Sequence, residues 1–143
     1  MINTLDTAVG DYLDKVARAL DVPWDNKMPG AALEQWSRIN ETTTEDIARD
    51  IAKWDLPRPL SLYKKNVPAF TFTGLRTAVE KVAADTVSLG DRMSLGRAAQ
   101  ALIFEHVTQK CILGMKNGGR HGSLVVSGGV ARNMAFRKMY LIR

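Results

Sequence analysis

The sequence predicts an α/β chain that is mostly helical, on three observations. Apolar residues recur at helical spacing over most of its length. Only two stretches read as strands: "FTFTG" at 70–74, which alternates aromatic and β-branched residues, and the apolar "SLVVS" at 123–127. The second leads through Gly128 and Gly129 into a further helical pattern, the strand–turn–helix unit of an α/β sheet. A fully apolar strand needs neighbours on both sides, so with one other candidate strand most of the sheet around "SLVVS" is expected to be missing. The 143 residues make one domain by size, or a piece of a larger one, long enough to bury roughly two-thirds of the unfolded surface.

The first helix is predicted from Leu5 to Leu20, where Leu5, Val9, Leu13, Val16 and Leu20 share a face. Pro23 and the polar "WDNKM" end it. Pro29 and Gly30 open a second helix, in which Leu33, Trp36 and Ile39 recur at about one turn. Thr42 stands three residues before Glu45, a capping-box pattern that starts a third helix running to Trp54. "DLPRPLSLYKKNVP" holds three prolines and reads as a loop or extended segment. Helical periodicity resumes from Leu75 to about Val87, and again from about Asp91 to Met115, interrupted only by Gly96 and Gly114. "KNGGRHGS" is a turn-rich loop, and Ala131 to Ile142 is the final helix. Residues 1–62 thus form a helical segment, and 63–143 carry helices plus the strand–glycine–helix unit.

Hydrophobic residues at 45% with 24% charged exclude wholesale disorder. A net charge of +5 suits an anionic partner such as RNA or nucleotide phosphates, although the charges are spread along the chain. The single cysteine, Cys111, allows no internal disulfide and reads as a buried structural thiol in an apolar helical stretch. No apolar run approaches the roughly 18 residues that a membrane span requires. Asp6, Asp11 and Asp14 near the start are unlike a targeting presequence. His106 and His121 are too far apart for the ligand pair of a helical metal site, so no metal site is expected. His106 reads as a helix-surface or core residue and His121 as a loop residue. No paired carboxylates and no serine in a nucleophile elbow stand out, so no catalytic residue is assigned.

Two stretches carry binding chemistry. In "LVVSGGVARNMAFR", residues 124–137, the glycines let the backbone pass close to a ligand and leave helix amides free for an anion or a nucleoside. The Asn133 amide could hydrogen-bond a ribose or a base. No P-loop or dinucleotide fingerprint is present, and on pattern alone a turn and a ligand site stand level. In "DYLDKVARAL", Asp14 and Lys15 on an amphipathic helix fit a solvated face, while the carboxylate could also accept two ribose hydroxyls. Gly10 and Asp11 lie on the same face as Asp14. A glycine inside a helix costs about 1 kcal/mol relative to alanine, so a close approach is expected at Gly10.

Four stretches, in order, together resemble one family. "TLDTAVGDYLDKVARAL" is similar to its "DDAxGEAFDKxAxxLG" block, "PGAALE" to its "PGGPxxE" turn, "FTFTGLRTAV" to its "FSFSGLKT" block, and "LVVSGGVARNMAFR" to its "LxxxGGVxxNxxLR" block. The tripeptide "PRP" at 57–59 is also common there. The family is that of the TsaD/Gcp-like tRNA N6-adenosine threonylcarbamoyltransferases, of the actin–Hsp70–sugar-kinase (ASKHA) fold. The resemblance implies part of that fold, lacking much of the sheet of both halves. It implies threonylcarbamoyl-adenylate and tRNA as substrates, the adenosine beside the anticodon as acceptor, and in the full family a divalent metal (iron or zinc) with an adenylate or ATP. Carried over residue by residue, Gly128, Gly129 and Asn133 are adenylate contacts, Asp14 holds the ribose, and Gly30 is the glycine turn beside it. The second glycine of that turn is replaced by Pro29 or Ala31. The first block is worded more like the mitochondrial branch, which implies a mitochondrial protein, with the cytoplasm as alternative.

The departures are as informative. Family members are considerably longer, with an HxxxH metal pair and an "SGGH" phosphate turn upstream and a late aspartate ligand downstream. None occurs here. The expectation is a truncated chain that holds most of the nucleoside pocket, retains no metal or cofactor, and is inactive alone, its partner being a second copy or the missing domain. The alternative is a non-catalytic helical module that binds a partner or RNA.

Overall fold

The stretch "SLGRAAQALIF", residues 94–104, is buried almost throughout. A helix apolar on all sides must be wrapped by others. In this computed structural model, which describes residues 3–60, 66–119 and 124–141, that stretch is the middle of α5 (Leu89–Asn117). Before it come β1 (Asn3–Thr4), α1 (Val9–Ala19), α2 (Pro29–Ser37), a 3₁₀ turn (Ile39–Glu41), α3 (Thr44–Trp54), β2 (Ala69–Phe70) and α4 (Thr73–Asp85). After it come a 3₁₀ turn (Val130–Arg132), α6 (Met134–Phe136) and a π turn (Arg137–Leu141). Helices α1, α2, α3 and α4 all touch α5, and α1 also packs on α2 and α4. One hydrophobic core therefore runs across both halves of the chain.

Small residues on α5 permit that crowding. A Cβ at Gly96 would stand 3.3 Å from both Leu20 and Leu33, closer than most packed carbons. Tyr12 of α1 is fully buried, and its hydroxyl donates to the Ala99 carbonyl at 3.0 Å, which satisfies the buried phenol. Between α3 and α5 the core turns polar. Asp50, 9% exposed, accepts from Arg97 Nε and from the Ser94 hydroxyl, both at 2.6 Å. Arg97 also donates to the Ser37 carbonyl at 3.0 Å, which ties α2 into the network. Removing one partner of a buried pair of this kind costs about 3–5 kcal/mol.

The two strands pair in parallel, Asn3 with Ala69 and Thr4 with Phe70. Asp6 locks this junction from far along the sequence. Its carboxylate accepts from the Thr71 hydroxyl at 2.6 Å, the Phe72 amide at 3.0 Å and the Thr73 amide at 3.1 Å, capping α4 in place of a local side chain. Partial burial pushes this carboxyl up, but the hydrogen bonds from Thr71, Thr7, Phe72 and Thr73 outweigh it and hold it well below the usual range. The Thr71 amide in turn donates to His106 Nε2 at 3.2 Å, so His106 is the core residue that its helix position allowed.

Several sequence expectations are corrected. Of "FTFTG" only Phe70 lies in a strand, Ala69–Phe70, because the Asp6 cap starts α4 at Thr73. The part of "SLVVS" within the described residues, 124–127, is not a strand: no strand among the described residues lies beside it, and Val125 is 85% exposed. Among the described residues the α/β character thus reduces to one two-residue parallel pair. The first helix begins at Val9 because Asp6 and Thr7 are drawn into the β junction. The third is capped one residue later than expected, by Thr43, which accepts from the Asp46 amide. The final helix breaks into a 3₁₀ turn, three α residues and a π turn, since Asn133 is the cap inside it. Gly10 has open space rather than a close neighbour, and Cys111 is only partly buried, with burial raising its thiol pKa. His121, Ser123 and Ile142 lie outside the described residues.

Burial, with the Lys110 charge one turn along, depresses the His106 imidazole to about 4, Asp6 pulling the other way. The ring is neutral in the fold but protonates near 6.5 when unfolded, so the stability it carries is complete above that pH and is lost as pH falls towards 4. Denaturant titrations should show stability falling between pH 6.5 and about 4, and falling less in His106→Gln, which keeps an acceptor for Thr71 without titrating. Equal slopes in the two proteins contradict this.

Candidate functional site

Asp14 lies on α1 between Asp11 and Lys15, whose ion pair marks the solvated side of the helix. Its Oδ1 accepts the Gly30 amide at 2.7 Å. That contact has a local cause. Met28, at the start of α2, offers no side-chain cap, and Pro29 at the first position has no N–H, so Gly30 carries the first unsatisfied amide of the helix. A carboxylate also complements the positive end of the helix dipole. The backbones approach closely there: a Cβ at Gly30 would stand 3.0 Å from Leu13 Cβ and 3.1 Å from Asp14 Oδ1. Any side chain would therefore push α2 off α1.

One turn along α2 from Gly30 is Glu34. Its Oε1 accepts the Met134 amide at 2.7 Å, the Ala135 amide at 3.4 Å and the Asn40 carboxamide nitrogen at 2.7 Å. Glu34 thus holds the N-terminus of α6. Asn133 is buried, and its Oδ1 accepts the Phe136 amide at 3.0 Å, capping the same helix from within. Phe136 reaches into the core against Phe104, with ring centroids 5.2 Å apart. Both ends of this short segment are fixed.

Upstream of Asn133 the chain is open. Gly128 has φ +100°, a conformation that favours glycine, and Gly128 and Gly129 have nothing within 4 Å of where a Cβ would stand. A hollow of about 560 Å³ there is lined by Leu124, Val126, Ser127, Gly128, Arg132 and Arg137, among others. Arg132 and Arg137 are exposed and have no ion-pair partner among the described residues, which leaves two guanidinium groups for an anion.

The five residues singled out from sequence therefore fall into two groups. Asp14 and Gly30 are in direct contact; Gly128, Gly129 and Asn133 share the C-terminal segment. Asp14 and Gly30 do not line the hollow at Gly128, and the two groups are joined through Glu34. Glu34 is the residue that sequence reasoning passed over. Its signal was its place four residues after Gly30, on the same helical face, at the end of "PGAALE". Arg132 and Arg137 were also passed over. Among the described residues no group of three or more His, Cys, Asp or Glu stands together. No described helix is long and apolar enough to cross a membrane.

Comparison with known proteins bears on what this arrangement serves. The family profile described as TsaD, tRNA N6-adenosine threonylcarbamoyltransferase, matches residues 1–142. A relative from Schizosaccharomyces pombe named "tRNA N6-adenosine threonylcarbamoyltransferase, mitochondrial" is 36% identical, the alignment covering 97% of this chain and 33% of that protein. Bacterial relatives with the same name, without the compartment, include those of Bordetella parapertussis at 36% and Herminiimonas arsenicoxydans at 32%, each covering 94% of this chain and 36% of the relative. The chain spans about a third of the length of the curated relatives it matches. With the match running from end to end, the chain belongs to the tRNA N6-adenosine threonylcarbamoyltransferase family.

Proposed function

We propose that this chain supplies the nucleoside grip of a tRNA N6-adenosine threonylcarbamoyltransferase, and that its compartment is mitochondrial, as the name of the fission-yeast relative says of that protein. The observation that carries the proposal is the run of contacts from Asp14 to the Gly30 amide, along α2 to Glu34, and on to the Met134 amide. It joins the segments that resemble the family's first and last blocks. In this proposal ribose hydroxyls donate to the Asp14 oxygen that Gly30 leaves unused. Gly128 and Gly129 lie against the adenylate, and Asn133 reaches the nucleoside. Arg132 and Arg137 answer the phosphate charge. The net charge of +5 suits tRNA as the second substrate.

The reaction is acyl transfer. The exocyclic amine of adenosine attacks the carbamoyl carbon of threonylcarbamoyl-adenylate, the new N–C bond forms, the bond to the phosphate oxygen breaks, and AMP leaves. Holding the two reactants in register supplies much of such a rate. These residues bind and orient. A metal ion held outside the described residues would supply the polarisation of the carbonyl, and the chain alone is proposed to be inactive.

Asp14→Asn keeps an acceptor for the Gly30 amide, and Asn133→Ser keeps a helix cap, so both variants test binding rather than folding. Each should weaken ATP binding, measured by calorimetry, tenfold or more, equivalent to about 1.4 kcal/mol. Unchanged affinity in both, with RNA binding that falls steeply with salt, contradicts the proposal in favour of a helical RNA-binding module. Supplied with threonylcarbamoyl-adenylate and tRNA, the purified chain should leave adenosine unmodified. Modification without any added protein would overturn the claim of inactivity.

A further inference from the structure

The carboxylate that holds the start of α6 is steered by a side chain outside the residues assigned to the nucleoside. Glu34 is half-buried and has no ion-pair partner among the described residues, so its charge rests on N–H donors. Three of them reach its Oε1: the Met134 amide at 2.7 Å, the Ala135 amide at 3.4 Å and Asn40 Nδ2 at 2.7 Å. The two amides belong to the segment that Glu34 places. Asn40 alone of the three donates from outside it.

Asn40 works from a fixed frame. It is the middle residue of the 3₁₀ turn Ile39–Glu41, which follows α2 directly. Ile39, 1% exposed, pins that turn in the core, and Arg38 enters it in the left-handed region at φ +57°. The Arg38 carbonyl accepts the Glu41 amide at 3.0 Å and the Thr42 hydroxyl at 2.9 Å, which closes the turn. The carboxamide is thus presented to Glu34 by α2 and its own continuation, whether or not α6 is docked. A glutamate carboxylate turns freely about its last torsion, so its donors decide where its oxygens point. Asn40 does not line the hollow at Gly128, and its effect there passes through Glu34.

We propose that Asn40 is a positioning residue for the nucleoside site: it aims Glu34 Oε1 at the α6 amides and thereby sets Asn133 and the glycine pair. This rests on the reading of those residues, with Asp14 and Gly30, as a nucleoside grip. It is tested by a double-mutant cycle on the full chain, read by ATP calorimetry and by the Met134 amide resonance of the ligand-free protein. Asn40→Asp keeps the shape but sets a second acceptor against Glu34, so it should weaken ATP binding tenfold or more and move the Met134 amide. Glu34→Gln should weaken ATP binding as well. The double variant Glu34→Gln/Asn40→Asp exchanges donor and acceptor and restores the bond, so it should bind ATP at least tenfold better than the two separate losses predict. Lost packing alone leaves those losses additive. Should Asn40→Asp fail to fold, Asn40→Ala takes its place, with the same loss of ATP affinity and the same movement of the Met134 amide. No ATP binding by the unaltered chain overturns the nucleoside reading and this inference with it. ATP binding that survives the Asn40 variant within tenfold, an unmoved Met134 amide, or additive losses in the double variant overturns this inference alone.

Discussion

Helix α2 is held at both ends by carboxylate–amide contacts to other parts of the chain, and the rest of the site inherits its position from them. Nine residues are too few for a helix to persist in water on its own propensity. Its first free amide is answered by Asp14 of α1, and its own Glu34 answers the first amides of α6. Helix α6 has only three residues and depends on that carboxylate, the Asn133 cap and the Phe136–Phe104 contact together. Order therefore passes from α1 to α2 to the C-terminal segment. Asn133 and the glycines before it are placed by a helix one hundred residues away in sequence.

The same logic explains what stays loose. Three carboxylates anchor elements through backbone amides left free by helix starts: Asp14 at α2, Glu34 at α6, Asp6 at α4. Residues 124–127 have no such anchor and no strand beside them among the described residues, which leaves Leu124, Val125 and Val126 exposed. An apolar segment of this kind is stable only when strands lie against it.

Much of the helical order was legible in the sequence, because α1, α3 and α4 carry a one-sided apolar face whose period is local information. What could not be read was whatever depends on distant partners. The start of α4 is fixed by Asp6, more than sixty residues upstream, so the pattern of "FTFTG" could not distinguish a strand from a helix cap. The strand at "SLVVS" was inferred from composition, yet strand formation requires a neighbour that composition cannot supply. In the candidate site, Asp14, Gly30 and Asn133 stood out through the family resemblance. Their connection did not, since Glu34 acts through main-chain amides that carry no side-chain signature. The buried His106 was foreseen as one of two options, but its unpartnered nitrogen only emerges once Thr71 is folded against it.

Whether the start and the finish of the chain serve one ligand is tested most directly by following backbone amides during an ATP titration of the isotope-labelled protein. If α2 couples the two segments into a single site, Gly30 on one side and Gly128, Gly129 and Asn133 on the other move together and fit one dissociation constant. If Gly30 stays still while the glycine pair responds, or the two fit different constants, the segments are separate features and the single-site account fails.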